Sequence, residues 1–237
     1  MSVTIKTSRE LELMREAGRI LALVHEDLAK IIKPGISTYE IDKEGERLIR
    51  SYGCIPSFLN YQGYPASICV SVNEEVVHGI PSPKRILKDG DIVSLDAGVI
   101  YKGYHSDAAR THAVGNIRPE AAKLIEVTKQ SFFEAVKAIE ETSNPRIGDI
   151  GHAIQSYVEK HGYSVVREFV GHGVGAKLHE DPNVPNFGTA GRGVRIYPGM
   201  TLAIEPMINA GSCDVLWMDD DWTIVTADGE LSAHYEN

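Results

Sequence analysis

Cysteine is scarce in this sequence. Three occur in 237 residues, Cys54, Cys69 and Cys213, and no two form a CxxC pair. An odd count without that spacing argues against a disulfide framework and against a zinc knuckle. Positive charge is short as well: 24 Lys and Arg face 33 Asp and Glu, for a formal net charge of −9. A general nucleic-acid binder needs the opposite balance. The local basic spot of Lys84, Arg85 and Lys88 reads as a solvated loop. No apolar run approaches the length of a membrane span, and Met1 to Met14 is polar rather than a signal core. The expected setting is the cytoplasm, with no membrane partner.

What is present is regular. Thr7-Ser8-Arg9-Glu10 is a capping-box pattern. Leu13, Met14, Ile20, Leu21, Val24, Leu28 and Ile31 follow at near-helical spacing, and Pro34-Gly35 ends the run. Ser37 and Glu40 open a second helix that stops at Gly53. Residues 68 to 114 are strand-rich. Pro119 suits the first turn of a third helix reaching Glu141, and a fourth runs from Gly148 to His161. Long helix, proline break, shorter helix and strands thus occur twice. Ile41 to Gly53 and Ile150 to Gly162 span the same distance. The expectation is one catalytic domain, 1–237, made of two α+β halves that meet near residue 118, with a site drawing ligands from both.

The chemistry-bearing residues are mostly acidic. Asp91 to Gly115 reads as a hairpin turning at Lys102-Gly103. A two-residue loop there sets Gly98 opposite Asp107, and Asp96, two residues from Gly98, shares that face. Two carboxylates side by side repel unless a cation binds between them. Hydrogen-bonded edge aspartates are the alternative at this point. His172 sits among glycines in Gly171-His172-Gly173-Val174-Gly175, and His179 follows in Leu178-His179-Glu180. Glycines there allow a close approach of backbone to a ligand. Glu205 ends the apolar segment Thr201-Leu202-Ala203-Ile204 before Pro206. Glu236, taken alone, is a tail residue. Together four carboxylates and one imidazole form a hard, oxygen-rich set. It suits two divalent ions, Mn, Fe or Co at least as well as Zn.

In this order the residues resemble type I methionine aminopeptidases. The matching segments are Tyr61-Gln62-Gly63-Tyr64-Pro65, Val72-Asn73-Glu74 with His78-Gly79-Ile80-Pro81, Asp89-Gly90-Asp91-Ile92-Val93 leading to Asp96, and His105-Ser106-Asp107. They continue with Gly171-His172-Gly173-Val174-Gly175, Pro198-Gly199-Met200 with Glu205-Pro206, and Leu231-Ser232-Ala233 with Glu236. The resemblance implies a pita-bread α+β fold: two pseudo-symmetric halves around a central curved antiparallel sheet, with helices outside. It implies two divalent metal ions (Co, Mn, Fe, Ni or Zn). Asp96 would hold one with both oxygens, Asp107 and Glu236 would bridge, and His172 and Glu205 would complete the other shell. Glu205 would be the general base, His179 would stabilise the oxyanion, and His78 would position the peptide. A metal-bridging water would attack the scissile carbonyl. The methionine pocket maps to Tyr61, Tyr64, Cys69 and Trp222, with Phe58 and Leu178 at its edges. The implied substrate is the initiator methionine of nascent chains with a small second residue, near the ribosome, and the implied state is a monomer. Ser2 makes the chain's own Met1 such a substrate.

Three positions depart from the family pattern. Leu178 stands where an aromatic is common, and Phe58 where a small residue is common. Asn237 comes one residue after Glu236. Relatives run on for about a strand's length past this point, so Glu236 is expected to be weakly held. The rival readings are a peptidase specific for Xaa-Pro bonds and a pita-bread binding protein without catalysis.

Overall fold

The computed structural model describes residues 3–237. Two capping boxes start the first two helices, as the sequence indicates. In α1 (Ser8–Ile31) the Thr7 side chain accepts from the Glu10 N–H, and the Glu10 carboxylate accepts from the Thr7 N–H at 2.7 Å. Ser37 and Glu40 do the same for α2 (Thr38–Ser51). Then come β1 (Ile55–Pro56), a 3-10 turn at Tyr61–Gly63, β2 (Ile68–Val72), β3 (Glu75–Val77), β4 (Ile92–Tyr101) and β5 (Tyr104–Ala113). The β4–β5 turn has φ of 49° at Lys102 and 88° at Gly103. Two positive φ values in a two-residue loop match the right-handed twist of the flanking strands.

The second part opens with α3 (Pro119–Glu141) and α4 (Ile147–Lys160). The Asp149 carboxylate ties down the first turn of α4 by accepting the Arg146 N–H at 2.7 Å. Short strands follow: β6 (Ser164–Val165), β7 (Gly171–Gly173), β8 (Glu180–Val184), β9 (Leu202–Ala203), β10 (Met207–Asn209), β11 (Val215–Trp217), β12 (Ile224–Thr226) and β13 (Ser232–His234). Every pairing between these strands is antiparallel. The sheets run β1-β4-β2 with β5 beside β4, then β13-β10-β6, β11-β12-β3 and β8-β7-β9.

Two apolar cores lie under the helices. Leu21, Val24 and Leu28 of α1 and Ile41 and Ile49 of α2 pack on Val93, Leu95, Ala97 and Val99 of β4. Leu124 and Val127 of α3 and Ile150, Ile154 and Val158 of α4 pack on Ile208 and Ala233. The helices therefore shield one face of the strands and leave the opposite face of β4 and β5 for polar work. None of the helices is long and apolar enough to cross a membrane, among the described residues.

The expectation of a loose Glu236 is overturned. Its N–H donates to Ala109 O at 3.0 Å, and Asn237 and Ile204 exchange hydrogen bonds in both directions. The Arg110 guanidinium donates to the Glu236 carbonyl and, at 2.6 Å, to Asn237 Oδ1, while lying 4.2 Å over the Tyr235 ring. Glu236 is 2 % exposed. Strand β5 and one arginine thus supply the pairing the sequence did not reveal. Replacing Arg110 with Ala should cost about 1.5–3 kcal/mol in denaturant unfolding, as loss of charge-assisted hydrogen bonds does. Amide exchange over residues 234–237 should accelerate with it; unchanged exchange there would contradict this account of the anchor.

Candidate metal centre and substrate pocket

Strand alternation aims the acidic residues. With Val93, Leu95, Ala97 and Val99 committed to the first core, Asp96 must project from the other face of β4. The register places Gly98 opposite Asp107 and Asp96 opposite Ala109, as the two-residue turn requires. Gly98 has no room for a side chain: a Cβ there would lie 2.7 Å from Ser57 Cβ. His172 comes from β7. Its flanking glycines serve strand packing rather than ligand approach, since a Cβ on Gly171 would meet Ala203 O at 2.3 Å and one on Gly173 would meet Asp181 O at 2.4 Å. Glu205 follows β9, with its carbonyl accepting from Asn186 Nδ2 at 2.9 Å. Glu236 follows β13.

These side chains converge. Asp107, His172 and Glu236 each offer a ligand atom within 4.8 Å of the others. His172 Nε2 lies 3.6 Å from Glu205 Oε1 and 3.9 Å from Asp107 Oδ2. His172 Nδ1 meets the Gly173 carbonyl at 2.8 Å, so the proton resides on Nδ1 and the Nε2 lone pair faces the carboxylates. Burial pulls the His172 imidazole down to about 4, with His179 adding to it, so the ring is neutral at pH 7.

The carboxylates are strained in the opposite sense. Burial pushes Asp107 up to about 7. Burial first, then neighbouring charge, raises Asp96 and Glu236 well above the usual carboxylate range, and burial with Asp107 does the same to Glu205. Asp96 Oδ1 and Asp107 Oδ1 are buried without a hydrogen-bond partner among the described residues. Orphaned carboxyl oxygens beside a bare imidazole lone pair are a donor set that fits divalent cations.

Beside this cluster lies an apolar pocket. Phe58, Tyr64, Ala66, Cys69 and Leu178 pack together, with Tyr61, Ile80 and Trp222 against them. The Tyr64 hydroxyl donates to Gly79 O at 2.9 Å, which points its ring edge into the cavity wall. Burial keeps the Cys69 thiol protonated, so this wall is uncharged. Every candidate site residue from the sequence lines one cavity of about 170 Å³: the five acidic and imidazole candidates, His78, His179, and the six apolar-pocket residues. His78 sits at φ 59°, a left-handed conformation rare outside glycine, held where Gly79 presses on Val70. The Tyr61 hydroxyl and His179 Nδ1 are 2.7 Å apart.

Two residues escaped the sequence reading. Gln62 lines the cavity from the 3-10 turn, and nothing in its local pattern marks it. His234 is detectable in principle: it lies two residues before Glu236, hence on the same strand face. Its Nε2 is buried, lacks a hydrogen-bond partner among the described residues, and stands 3.9 Å from Glu205 Oε2.

Metal uptake should depend on pH through the carboxylates alone. Cations take the deprotonated oxygens, and Asp107 gives up its proton near 7. His172 is already neutral above pH 5. Apparent affinity for Mn should therefore rise from pH 6 to 7.5, with proton release visible as a buffer-dependent calorimetric enthalpy. A flat affinity over that range would contradict the raised carboxylates.

Comparison with known proteins agrees with this geometry. Residues 12–237 match the model of metallopeptidase family M24. Methionine aminopeptidase 1 of Bacillus subtilis is 56% identical over 235 residues, covering 99% of this chain and 94% of that protein. The crystal structure of methionine aminopeptidase from Rickettsia prowazekii superposes with a TM-score of 0.95 at 40% identity, covering 99% of this chain and 94% of that one. A Xaa-Pro dipeptidase from Bacillus anthracis shares the fold at a TM-score of 0.74 and 24% identity, and this chain covers only 57% of it. With its pita-bread architecture of antiparallel sheets under four helices, the chain belongs to metallopeptidase family M24.

Proposed function

We propose that the chain is a methionine aminopeptidase that hydrolyses the first peptide bond of chains beginning with methionine and a small second residue. The observation that carries this is the adjacency of a buried carboxylate cluster to an uncharged apolar pocket. The cluster suits hydrolysis, and the pocket suits an unbranched thioether. The two α+β halves, about 1–118 and 119–237, each contribute ligands to the site between them. Nascent chains in the cytoplasm, near the ribosome, are the natural source of such substrates.

Asp96, Asp107, His172, Glu205 and Glu236 would hold two divalent ions. When bound, the ions supply Lewis acidity and an activated water. Co, Mn, Fe, Ni and Zn all meet the donor set in principle, and its oxygen content favours the harder ones.

The chain's own residues do the rest. Glu205, buried beside the cluster, is the carboxylate that would take the proton of the attacking water and pass it to the leaving amine once bound cations offset the burial and repulsion that otherwise keep it protonated. His179 acts as a neutral donor: burial lowers its basicity, and in the tautomer where Nδ1 accepts from the Tyr61 hydroxyl the hydrogen is on Nε2. That N–H stabilises the charge developing on the scissile carbonyl oxygen. His78, held neutral by burial at about 4, hydrogen-bonds the peptide beyond the scissile bond. Tyr61, Tyr64, Cys69 and Trp222 receive the methionine side chain, with Phe58 and Leu178 at its rim.

The decisive assay is methionine release from Met-Ala-Ser with added Mn or Co. The unaltered chain should release methionine, and Asp107→Asn should abolish both activity and calorimetric uptake of two ions. Undiminished release by that variant, or release of Xaa ahead of proline with no methionine released, would sink the reading. His179→Ala should lower kcat by roughly 10²–10³-fold, the loss typical of one oxyanion donor, with metal uptake intact.

A further inference from the structure

The chain has two tryptophans, Trp217 and Trp222, and both lie on the β11–β12 hairpin. Asp220 pins the hairpin's turn by accepting the N–H of Trp222 at 3.0 Å and of Thr223 at 2.7 Å. Trp222 walls the methionine pocket. Trp217 is not part of that wall and is 58% exposed. An exposed indole covers no core, so packing does not account for it.

Its contacts lead back to the site. Trp217 and Phe169 rings are 5.7 Å apart, and Phe169 and His78 rings are 5.6 Å apart in an edge-to-face pair. His78 in turn lies 6.2 Å from Trp222. The aromatic series Trp222, His78, Phe169, Trp217 therefore runs continuously from the pocket wall to open surface. Alternation along β11 puts Val215 on the same face as Trp217, and Val215 packs with Phe169 under the shelf. The shelf is thus fixed from below. Strand β11 pairs only with β12 among the described residues, so its outer edge is available to an extended peptide.

We propose that Trp217, beside Phe169, forms a subsite for the fourth residue of the substrate and favours a large apolar or aromatic side chain there. This rests on the aminopeptidase reading. With methionine in its pocket and His78 at the peptide beyond the scissile bond, the second residue lies against His78 and Phe169. In an extended chain the same face recurs every second residue, about 6.6–6.8 Å on. That spacing matches one further step along the aromatic series, which brings the fourth residue to Trp217. The third residue points the other way. Contact made equally in ground and transition states appears in KM and leaves kcat unchanged.

The test uses the full, metal-loaded chain on Met-Ala-Ser-Phe and Met-Ala-Ser-Gly. The unaltered enzyme should prefer the phenylalanine peptide by roughly 2–10-fold in kcat/KM, the range one aromatic pair provides, and the difference should lie in KM. In Trp217→Ala the ratio should fall to about one, while Trp217→Phe should keep most of it. Ratios within one enzyme are insensitive to partial loss of folded protein. An undiminished ratio in Trp217→Ala, or no preference in the unaltered enzyme, overturns the proposal. So does sedimentation as a dimer that Trp217→Ala converts to monomer with the ratio unchanged, because the shelf then serves a second copy. Failure to release methionine from Met-Ala-Ser at all is a separate outcome and strikes the aminopeptidase reading itself.

Discussion

Four carboxylates held together out of water are the constraint on which the rest of this structure depends. Burying one unpaired carboxylate is costly, and grouping four adds mutual repulsion. Asp96, Asp107, Glu205 and Glu236 are all shifted toward their protonated forms by that confinement. No lysine or arginine side chain forms an ion pair with them among the described residues. The arginine nearest in sequence to Asp107, Arg110, turns its guanidinium to the Glu236 carbonyl and the Asn237 side-chain amide oxygen instead. The cluster is thus left for cations from solution. A protein that neutralised its own carboxylates would be better satisfied without metal and worse at binding one.

The scaffold answers this cost with rigidity. Asp96 and Asp107 stand on a hairpin of two ten-residue strands whose far face is locked under α1 and α2. Glycines at 98, 171 and 173 let strands approach where any side chain would collide. His172 has its tautomer fixed by a backbone carbonyl. The two of these carboxylates most distant in sequence, Asp96 and Glu236, are brought together because residue 236 pairs with β5 at Ala109, the residue opposite Asp96. Like charges stay close only when the backbone cannot yield, and here each is carried by a strand or lies two residues past the end of one.

Much of this was legible in the sequence, for physical reasons. Capping boxes and prolines mark helix ends through local hydrogen bonding, so Thr7, Ser37 and Pro119 fell at or beside the starts of their helices. The hairpin register followed from Lys102-Gly103, because a two-residue loop permits one alignment only. Glu236 was different. Its local sequence resembles a frayed end, and what holds it, Arg110 with the edge of β5, is more than a hundred residues away. His234 shows the same limit with an instructive exception. Its contact with Glu205 is nonlocal, yet strand period two ties it to Glu236 once that residue is assigned.

The glycines around His172 carry a further lesson about inference from composition. A histidine flanked by glycines looks like a backbone opened for a ligand. The structure puts neighbouring strands in that space: Ala203 O against Gly171 and Asp181 O against Gly173. The glycines still matter to the metal centre, but by letting β9 close on β7, which carries Glu205 toward His172. Any side chain at 171 or 173 would push these strands apart. The cluster side chains themselves would be untouched, yet the separation between His172 Nε2 and Glu205 would open. The geometry of the cluster is therefore set one layer behind its side chains, where the pattern of residue types reflects strand packing.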